Sequence, residues 1–214
     1  MGFGGSGLFV VVEGPEGAGK STLVRSLAAR LHADGHPVVT VREPGGTPVA
    51  EAARKVVLKF PHAMTPAAEL FLFLTARTDL VQRVVRPALE AGDVVIADRY
   101  NLSTMAYQVA AGGLPHDAVE HAIRLATGGL APDVTLVLDV PVEVGRERQR
   151  AAHKVQDRFE RQDDAFHRRV LEAYRQARGP GVVHLDATQS KKAVLDAAWK
   201  EVLAAMALPT RGSS

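Results

Sequence analysis

The sequence predicts an α/β protein built around a parallel sheet of five strands. Five short apolar runs rich in Val, Leu and Ile recur along the 214 residues, and each run is continuous rather than alternating with polar residues. Strands that are apolar on both sides belong to parallel sheets that are covered on both faces. Such sheets need helical crossovers, and the segments between the runs carry helical spacing. We therefore expect helices on both faces of the sheet.

The elements follow in order along the chain. The apolar runs predict strands at residues 8–13, 37–42, 93–98, 133–140 and 181–186. The intervening patterns predict helices at residues 21–31, 48–59, 67–90, 115–127, 142–151, 163–178 and 190–207. Pro48 and Pro115 stand at predicted helix starts, and Gly128 and Gly179 stand just past predicted helix ends, which is where these residues are favoured.

One domain is expected, because no internal repeat and no linker divides the chain. Its predicted bounds are residues 8–208, between a flexible glycine-rich leader at residues 1–7 and a flexible tail at residues 209–214. The leader also matches a loose N-myristoylation pattern, although a motif this permissive favours a simple leader.

Composition excludes several classes of protein. Hydrophobic residues make up 46% and charged residues 23%, which is ordinary for a globular protein. There is no cysteine, so disulfide scaffolds, thiol nucleophiles and cysteine-bound metals are absent. Twenty-six Lys and Arg against 24 Asp and Glu give a net charge of +2, which does not indicate binding to nucleic acid. The sequence carries neither a membrane-span nor a signal-peptide pattern, and we expect a cytoplasmic protein that does not bind membranes.

The strongest motif follows the first predicted strand. Gly14-Pro15-Glu16-Gly17-Ala18-Gly19-Lys20-Ser21 satisfies the phosphate-loop (P-loop) pattern G-x-x-x-x-G-K-[ST] and leads into a predicted helix. Backbone N–H groups of such a loop converge on phosphate oxygens at a helix N-terminus. Lys20 is expected to reach the β- and γ-phosphates, and the Ser21 hydroxyl is expected to bind Mg²⁺. The predicted ATP site comprises Gly14, Pro15, Glu16, Gly17, Ala18, Gly19, Lys20, Ser21 and Thr22.

Phosphate binding alone leaves a kinase, a GTPase switch and an ATP-driven machine open. A GTPase is expected to carry an Asn-Lys-x-Asp or Thr-Lys-x-Asp motif for the guanine base. Neither string occurs in the sequence, which disfavours a guanine switch.

Four further motifs follow the P-loop in a fixed order. They are Arg42-Glu43-Pro44-Gly45-Gly46-Thr47, then Ala76-Arg77, then Asp98-Arg99-Tyr100 with Ser103 and Tyr107, and finally Asp157-Arg158-Phe159-Glu160. Together the five motifs resemble bacterial thymidylate kinase, a nucleoside monophosphate kinase with the P-loop NTPase fold. The resemblance extends from Leu8 to the last predicted helix. It implies transfer of the γ-phosphoryl group of ATP to dTMP, giving dTDP and ADP for dTTP synthesis, with Mg²⁺ and in a homodimer. It also implies a short mobile lid at about residues 146–160.

Two residues at the end of the third predicted strand are expected to bind ligands, one the metal ion and the other the acceptor phosphate. Asp98 ends a strand beside the P-loop strand, as a magnesium-binding carboxylate does, and pairs with Ser21 as the predicted metal site. Asp139 closes the neighbouring strand and is the second choice. Arg99 lies where ligands gather in open α/β sheets and can grip two oxygens of the acceptor phosphate, although a surface ion pair is the alternative.

The resemblance also implies which residues bind the nucleoside part of the acceptor. Phe73 and Arg77 are four residues apart and share one helix face. Phe73 alone would be interpreted as a core residue, but the resemblance implies that it stacks on thymine while Arg77 binds the edge of the base. The remaining expected substrate contacts are Glu16, Glu43, Pro44, Ser103, Thr104 and Gln108. Tyr107 is expected beneath the deoxyribose, where a 2′-hydroxyl would clash, with a core tyrosine as the alternative.

Basic residues concentrate between Arg146 and Arg178, and the resemblance places the lid there. Cations that meet the developing charge supply much of the rate in phosphoryl transfer. The P-loop contains no arginine, and the resemblance implies that the lid supplies one in such members of the family. The stretch concerned also holds Arg146, Arg148, His153 and Lys154. The resemblance favours Arg150, with Arg158 as a further catalytic residue beside Lys20 and Arg99.

Two rival functions remain open from the sequence. The nearer one is a kinase of the same fold that acts on dUMP, dCMP or a ribonucleotide. The other is a non-catalytic ATP-dependent switch, which would leave Arg99 and the basic lid without an obvious use.

Overall fold

The computed structural model describes residues 7–151 and 157–208. Within these ranges, five parallel strands form one sheet in the order β2-β3-β1-β4-β5. The strands are β1 (Leu8–Glu13), β2 (Val38–Arg42), β3 (Val94–Asp98), β4 (Val134–Asp139) and β5 (Val182–Asp186). Each one lies within a predicted strand, so the expected parallel sheet is confirmed.

The helices of the described residues carry the connections between strands. They are α1 (Lys20–Ala33), α2 (Pro48–Lys59), α3 (Pro66–Leu80), α4 (Arg86–Glu90), α5 (Asn101–Thr104), α6 (His116–Thr127), α7 (Val142–Ala151), α8 (Asp164–Gln176) and α9 (Lys191–Met206). A π-helical turn at Val81–Val85 joins α3 to α4, and a second one at Met105–Ala111 extends α5.

The core lies on both faces of the sheet because successive strand residues point in opposite directions. On one face, Val10 and Val12 of β1 pack with Leu27 of α1 and Ala198 of α9. On the other face, Phe9, Val11 and neighbouring strand residues pack against the long helical segment that ends at Glu90. Helices therefore cover both faces, as the continuous apolar strands predict.

The predicted helix at residues 67–90 is interrupted rather than uniform. Pro87 has no backbone N–H to donate to the carbonyl of Arg83, and its ring crowds that turn. The wider π-helical turn at Val81–Val85 ends two residues before this proline and accommodates it.

The helical segment at residues 101–111 was not among the predicted helices. It starts next to Arg99, whose φ of 76° turns the chain sharply after β3. The backbone N–H groups of Tyr100 and Ser103 both donate to the carboxylate of Glu13, at 2.8 and 3.0 Å. The cap of this segment thus comes from β1 rather than from its own sequence.

Strand pairing brings the motifs to one edge of the sheet. Val12 of β1 and Arg42 of β2 are both in register with Asp98 of β3. The P-loop after β1, Glu43 after β2 and Arg99 after β3 consequently follow strand ends that lie side by side. Ligands of open α/β folds bind at this carboxyl edge.

Parts of the predicted boundary segments lie outside the described residues. These are residues 1–6 of the leader, the tail at 209–214, and residues 152–156 with His153 and Lys154 of the expected lid. Gly7, which closes the predicted leader, donates its N–H to the carbonyl oxygen of Leu89 at 2.7 Å. Among the helices of the described ranges, none has the length and apolar character required to span a membrane.

Candidate active site

A cleft of about 1090 Å³ opens at the carboxyl edge of the sheet. It brings together most of the residues that the sequence assigns to the site. The assigned residues that line it are Glu16, Gly17, Ala18, Gly19, Lys20, Ser21, Thr22, Glu43, Pro44, Phe73, Arg77, Asp98, Arg99, Ser103, Thr104, Tyr107, Gln108 and Arg150. Gly14, Pro15 and Arg158 are not part of its lining.

The P-loop is packed tightly against the helix that leads into the expected lid. A Cβ atom on Gly17, where φ is 74°, would lie 2.1 Å from the carbonyl oxygen of Gly145 in α7. A Cβ on Gly145 would in turn lie 2.7 Å from the carbonyl oxygen of Glu16. Only glycine on both sides permits this approach, so the phosphate-binding loop and α7 are held in direct backbone contact.

Lys20 lies at the start of α1 with its ammonium group inside the loop. Its Nζ donates to the carbonyl oxygens of Gly14 at 3.0 Å and Pro15 at 2.7 Å. Burial lowers the pKa of Lys20 to about 8, and the nearby charge of Arg99 acts in the same direction, while Asp98 and Glu16 oppose it. The Lys20 amine is therefore charged at neutral pH but loses its charge as the pH rises through about 8.

Ser21 and Asp98 meet directly at the cleft. The Ser21 hydroxyl donates to Asp98 Oδ2 at 2.5 Å. A hydroxyl and a carboxylate oxygen are ligands that Mg²⁺ prefers, and both lie beside the P-loop, so this pair fits a magnesium ion. Asp139, the second choice, instead contacts His184 Nδ1 at 2.9 Å and does not line the cleft.

Arg99 extends from the sharp turn after β3 into the cleft. Its Nη1 donates to the carbonyl oxygen of Gly14 at 3.4 Å and to the hydroxyls of Ser103 and Tyr174, both at 3.0 Å. Its Nη2 donates to Glu16 Oε1 and to the Tyr107 hydroxyl, both at 3.4 Å. The guanidinium is thereby held on two sides within the cleft.

Arg77 and Glu43 form an ion pair, and each is almost fully buried. Arg77 Nε donates to Glu43 Oε2 at 2.6 Å, and its terminal nitrogens donate to Thr104 Oγ1 and the carbonyl oxygen of Tyr100, both at 2.9 Å. Burial raises the pKa of Glu43 to about 7 even though the Arg77 charge acts to lower it. Phe73, one turn before Arg77, lies in the cleft and its ring centre is 5.7 Å from that of Phe159.

Two further polar side chains face this part of the cleft. Gln108 is buried, and its Nε2 has no hydrogen-bond partner within the described part of the chain. An unpaired buried amide is costly, so a ligand that pairs with it is favoured. The Tyr107 hydroxyl donates to Glu16 Oε1 at 3.2 Å, which links the tyrosine to the P-loop.

The arginines of the expected lid separate into two groups. Arg148 and Arg150 of α7 line the cleft, and Arg148 Nη2 donates to the carbonyl oxygen of Ala187 at 3.0 Å. Arg158 instead forms an ion pair with Glu69 of α3 at 2.7 Å and is not among the lining residues, although its neighbours Asp157 and Phe159 are. The structure therefore brings Arg150, but not Arg158, to the predicted site.

Sequence reasoning missed several residues of the site. Arg54 of α2 lines the cleft and donates to the carbonyl oxygen of Pro44 at 2.7 Å. Gln149 donates to Glu16 at 3.1 Å and to Glu160 at 3.3 Å. Nothing in the sequence separates Arg54 or Gln149 from polar residues on an exposed helix face. The cleft also continues to Ala187, Gln189 and Lys191 near the start of α9.

Comparisons with known proteins agree with this geometry. The sequence model of the family described as thymidylate kinase matches residues 12–198. A thymidylate kinase of Thermomicrobium roseum is 46% identical over 201 residues, which cover 92% of this chain and 95% of the relative. A thymidylate kinase of Pseudomonas putida is 47% identical over 193 residues, with 88% and 91% covered. One of Deinococcus radiodurans is 46% identical over 169 residues, with 78% and 81% covered. On these grounds the chain belongs to the thymidylate kinase family.

Proposed function

We propose that this protein transfers the γ-phosphoryl group of ATP to dTMP and produces dTDP and ADP for dTTP synthesis. One observation carries the assignment of the site. Lys20, the expected donor-phosphate cation, and Arg99, the expected acceptor-phosphate cation, donate to the same carbonyl oxygen, that of Gly14. Two anions bound by these cations would be neighbours, as the reaction between two phosphates requires.

The donor side comprises the P-loop and the start of α1. Backbone N–H groups of the residues from Glu16 to Thr22 would surround the phosphates of ATP, with the positive end of the α1 dipole behind them. Lys20 would exchange its two carbonyl partners for phosphate oxygens. The extension of the cleft to Ala187, Gln189 and Lys191 gives room for the adenosine part of ATP.

Ser21 and Asp98 would hold the Mg²⁺ that accompanies ATP, because both present oxygen atoms at the same point. When bound, Mg²⁺ offsets negative charge on the phosphates during transfer. The other contributions to the reaction, which are binding, positioning and charge stabilisation, come from side chains of this protein.

On the acceptor side, the phosphate of dTMP would bind Arg99 beside Ser103, while Tyr107 would lie beneath the deoxyribose and Glu16 would orient the sugar. The thymine ring would stack on Phe73, beside Arg77, Thr104 and Gln108, with Glu43 and Pro44 behind. The amide of Gln108 has an NH₂ group that can donate to a carbonyl of thymine and an oxygen that can accept from its N3–H.

Positioning and charge stabilisation account for the expected rate increase, since phosphoryl transfer requires little covalent chemistry from the protein. Lys20 and Arg99 would hold donor and acceptor in line, and Arg150 would add a cation from α7. Arg158 is proposed as a further catalytic arginine. Its participation would require its ion pair with Glu69 to open.

We also propose that the protein is a homodimer. Phe71 on α3 is 64% exposed, and Val49, Val56 and Phe60 of the adjacent α2 region are exposed apolar side chains. Contact with a second copy would remove this apolar surface from water. Light scattering should give twice the chain mass, and Phe71→Asp should shift the protein toward the monomer. A monomeric wild type at high concentration would contradict the proposal.

Formation of dTDP and ADP from ATP and dTMP tests the reaction directly. ADP release should depend on dTMP, with one dTDP formed for each ADP. Lys20→Ala, in a folded variant, should lower turnover by orders of magnitude because a phosphate-facing cation is lost. ADP release that is equal with and without dTMP would favour the ATP-dependent switch instead.

A further inference from the structure

Glu13 is a buried acid that the reaction itself does not use. It ends β1 directly before the P-loop, and its side chain is 0% exposed. Within the described residues, no lysine or arginine forms a salt bridge with it. Besides the backbone N–H groups of Tyr100 and Ser103, it accepts from two hydroxyls. These are Ser103 Oγ at 2.7 Å and Tyr174 Oη at 3.1 Å.

The same two hydroxyls contact Arg99. Arg99 Nη1 lies 3.0 Å from Ser103 Oγ and 3.0 Å from the Tyr174 hydroxyl, and the two hydroxyls are 2.8 Å apart. A carboxylate can only accept hydrogen bonds, and a guanidinium can only donate them. Neither hydroxyl can donate to Arg99, so each offers the guanidinium a lone pair, while the two hydroxyl hydrogens serve Glu13 and the contact between the hydroxyls.

We infer that Glu13 and Tyr174 are positioning residues that hold the guanidinium of Arg99 in the orientation that receives the phosphate of the acceptor nucleotide. Neither residue lines the cleft, so each acts through Arg99. Tyr174 reaches this point from α8, on the far side of the lid segment in sequence, and is 1% exposed. The inference rests on the proposed function, which makes Arg99 the residue that binds the acceptor phosphate.

A matched pair of variants separates positioning from general support of the fold. Tyr174→Phe removes one buried hydroxyl that contacts Arg99. Tyr100→Phe removes one buried hydroxyl that donates to the carbonyl oxygen of Leu130 at 3.1 Å, from a tyrosine that is also 1% exposed. Each variant keeps its ring and loses one buried hydroxyl. Tyr100→Phe loses the contact with Leu130, whereas Tyr174→Phe loses the contacts with Glu13, Ser103 and Arg99 and alone changes the surroundings of Arg99.

Calorimetry should compare the binding of dTMP with that of thymidine, which has the same base and sugar without the phosphate. Tyr174→Phe should weaken dTMP binding on the order of tenfold, as expected for loss of a hydrogen bond to a charged group. Thymidine binding and the KM for ATP should not change. Tyr100→Phe should leave the ratio of dTMP to thymidine affinity at its wild-type value.

Glu13→Gln provides a second test. The amide keeps the volume but has one acceptor oxygen, whereas Glu13 uses Oε2 for the two hydroxyls and Oε1 for the backbone N–H groups of Tyr100 and Ser103. One pair of donors next to Arg99 therefore loses its acceptor, and the ratio of dTMP to thymidine affinity should fall as in Tyr174→Phe. If Tyr174→Phe leaves that ratio unchanged, or weakens dTMP and thymidine equally, the inference is wrong. The ratio of dTMP to thymidine affinity is measured by binding alone and does not depend on turnover. A wild type that binds dTMP but forms no dTDP would overturn the proposed function alone, and the ratio would still decide the role of Tyr174.

Discussion

The carboxylate of Glu43 accepts the Nε hydrogen of Arg77 at 2.6 Å, and the two side chains are 5% and 2% exposed. Thr104 and the carbonyl of Tyr100 each take one hydrogen from the two terminal nitrogens of the same guanidinium. Arg77 is therefore fixed on three sides, and each terminal nitrogen keeps one N–H for a ligand. A base with a carbonyl at this position would be favoured, because a guanidinium has no acceptor to offer an amine.

Arg77→Ala should reduce the ratio of kcat/KM for dTMP to kcat/KM for dCMP. The ratio should fall because kcat/KM for dTMP decreases, not because kcat/KM for dCMP increases. We expect kcat/KM for dTMP to fall by about 100-fold or more, because a buried carbonyl loses its charged partner. Steady-state kinetics on both nucleotides measure this. Since removal of Arg77 leaves Glu43 buried alone at a cost of about 3–5 kcal/mol, the double variant Glu43→Gln/Arg77→Ala serves as the folded control. A variant that gains activity on dCMP would contradict the prediction.

The pH dependence of ATP use should report Lys20. Burial lowers the pKa of Lys20 to about 8 in the nucleotide-free protein, so its charge is lost as the pH rises through that value. We expect kcat/KM for ATP, which reports the free enzyme, to fall above about pH 8. Bound phosphates stabilise the charged form of the Lys20 amine, so kcat should stay constant up to a higher pH than kcat/KM does. The side chain in Lys20→Arg stays charged at every pH tested, so this variant should have low activity but no fall in kcat/KM above pH 8. If kcat/KM still falls above about pH 8 in this variant, a group other than Lys20 causes the decline.

Arg99→Ala should damage the acceptor side selectively, because ATP has its own phosphate loop. We expect KM for dTMP to rise by about tenfold or more with little change in the binding of ATP. Titration of each nucleotide separately measures the two effects. If ATP binding alone is weakened, the donor and acceptor phosphates have been assigned the wrong way round.

Tyr107→Ala should relax discrimination against the ribose form of the acceptor more than it harms the deoxy form, because a steric block is removed. Tyr107→Phe keeps the ring and loses only the hydroxyl that donates to Glu16. The phenylalanine variant should therefore keep the wild-type ratio of deoxy to ribo substrate. Kinetics with dTMP and its ribonucleotide analogue measure that ratio. An unchanged ratio in Tyr107→Ala would make Tyr107 a core residue.

Strands and the P-loop could be predicted from the sequence because their signals are local. A short, continuous apolar run such as Leu8–Glu13 is typical of a buried parallel strand, and the P-loop pattern directly follows it. The helix predicted at residues 48–59 has the bounds of α2, because Pro48 begins it; the structure adds a cap, in which the Thr47 side chain accepts from the Ala50 N–H.

Features that depend on distant partners could not be predicted. The helical segment from Asn101 lacks a local cap because Glu13, 87 residues before Tyr100, supplies the acceptor. The contact of Tyr174 with Glu13 spans 161 residues, so Tyr174 has the sequence pattern of any buried helix residue. The motif around Arg158 assigns this residue to the site, yet its ion pair with Glu69 of α3 depends on packing that the motif does not encode.

Turnover of a panel of nucleoside monophosphates by the wild-type protein measures the base specificity of the pocket around Arg77. Thymine and uracil both offer a carbonyl to Arg77, so dUMP should lose only the contribution of a methyl-sized group, about 10–200-fold in kcat/KM. Cytosine would place an amine against the guanidinium donors, and dCMP should be slower by up to about 10⁴-fold. We expect kcat/KM to fall in the order dTMP, dUMP and dCMP, with dCMP far below the other two. A protein that phosphorylates dCMP faster than dUMP would contradict the assignment of this pocket and identify a kinase for another monophosphate.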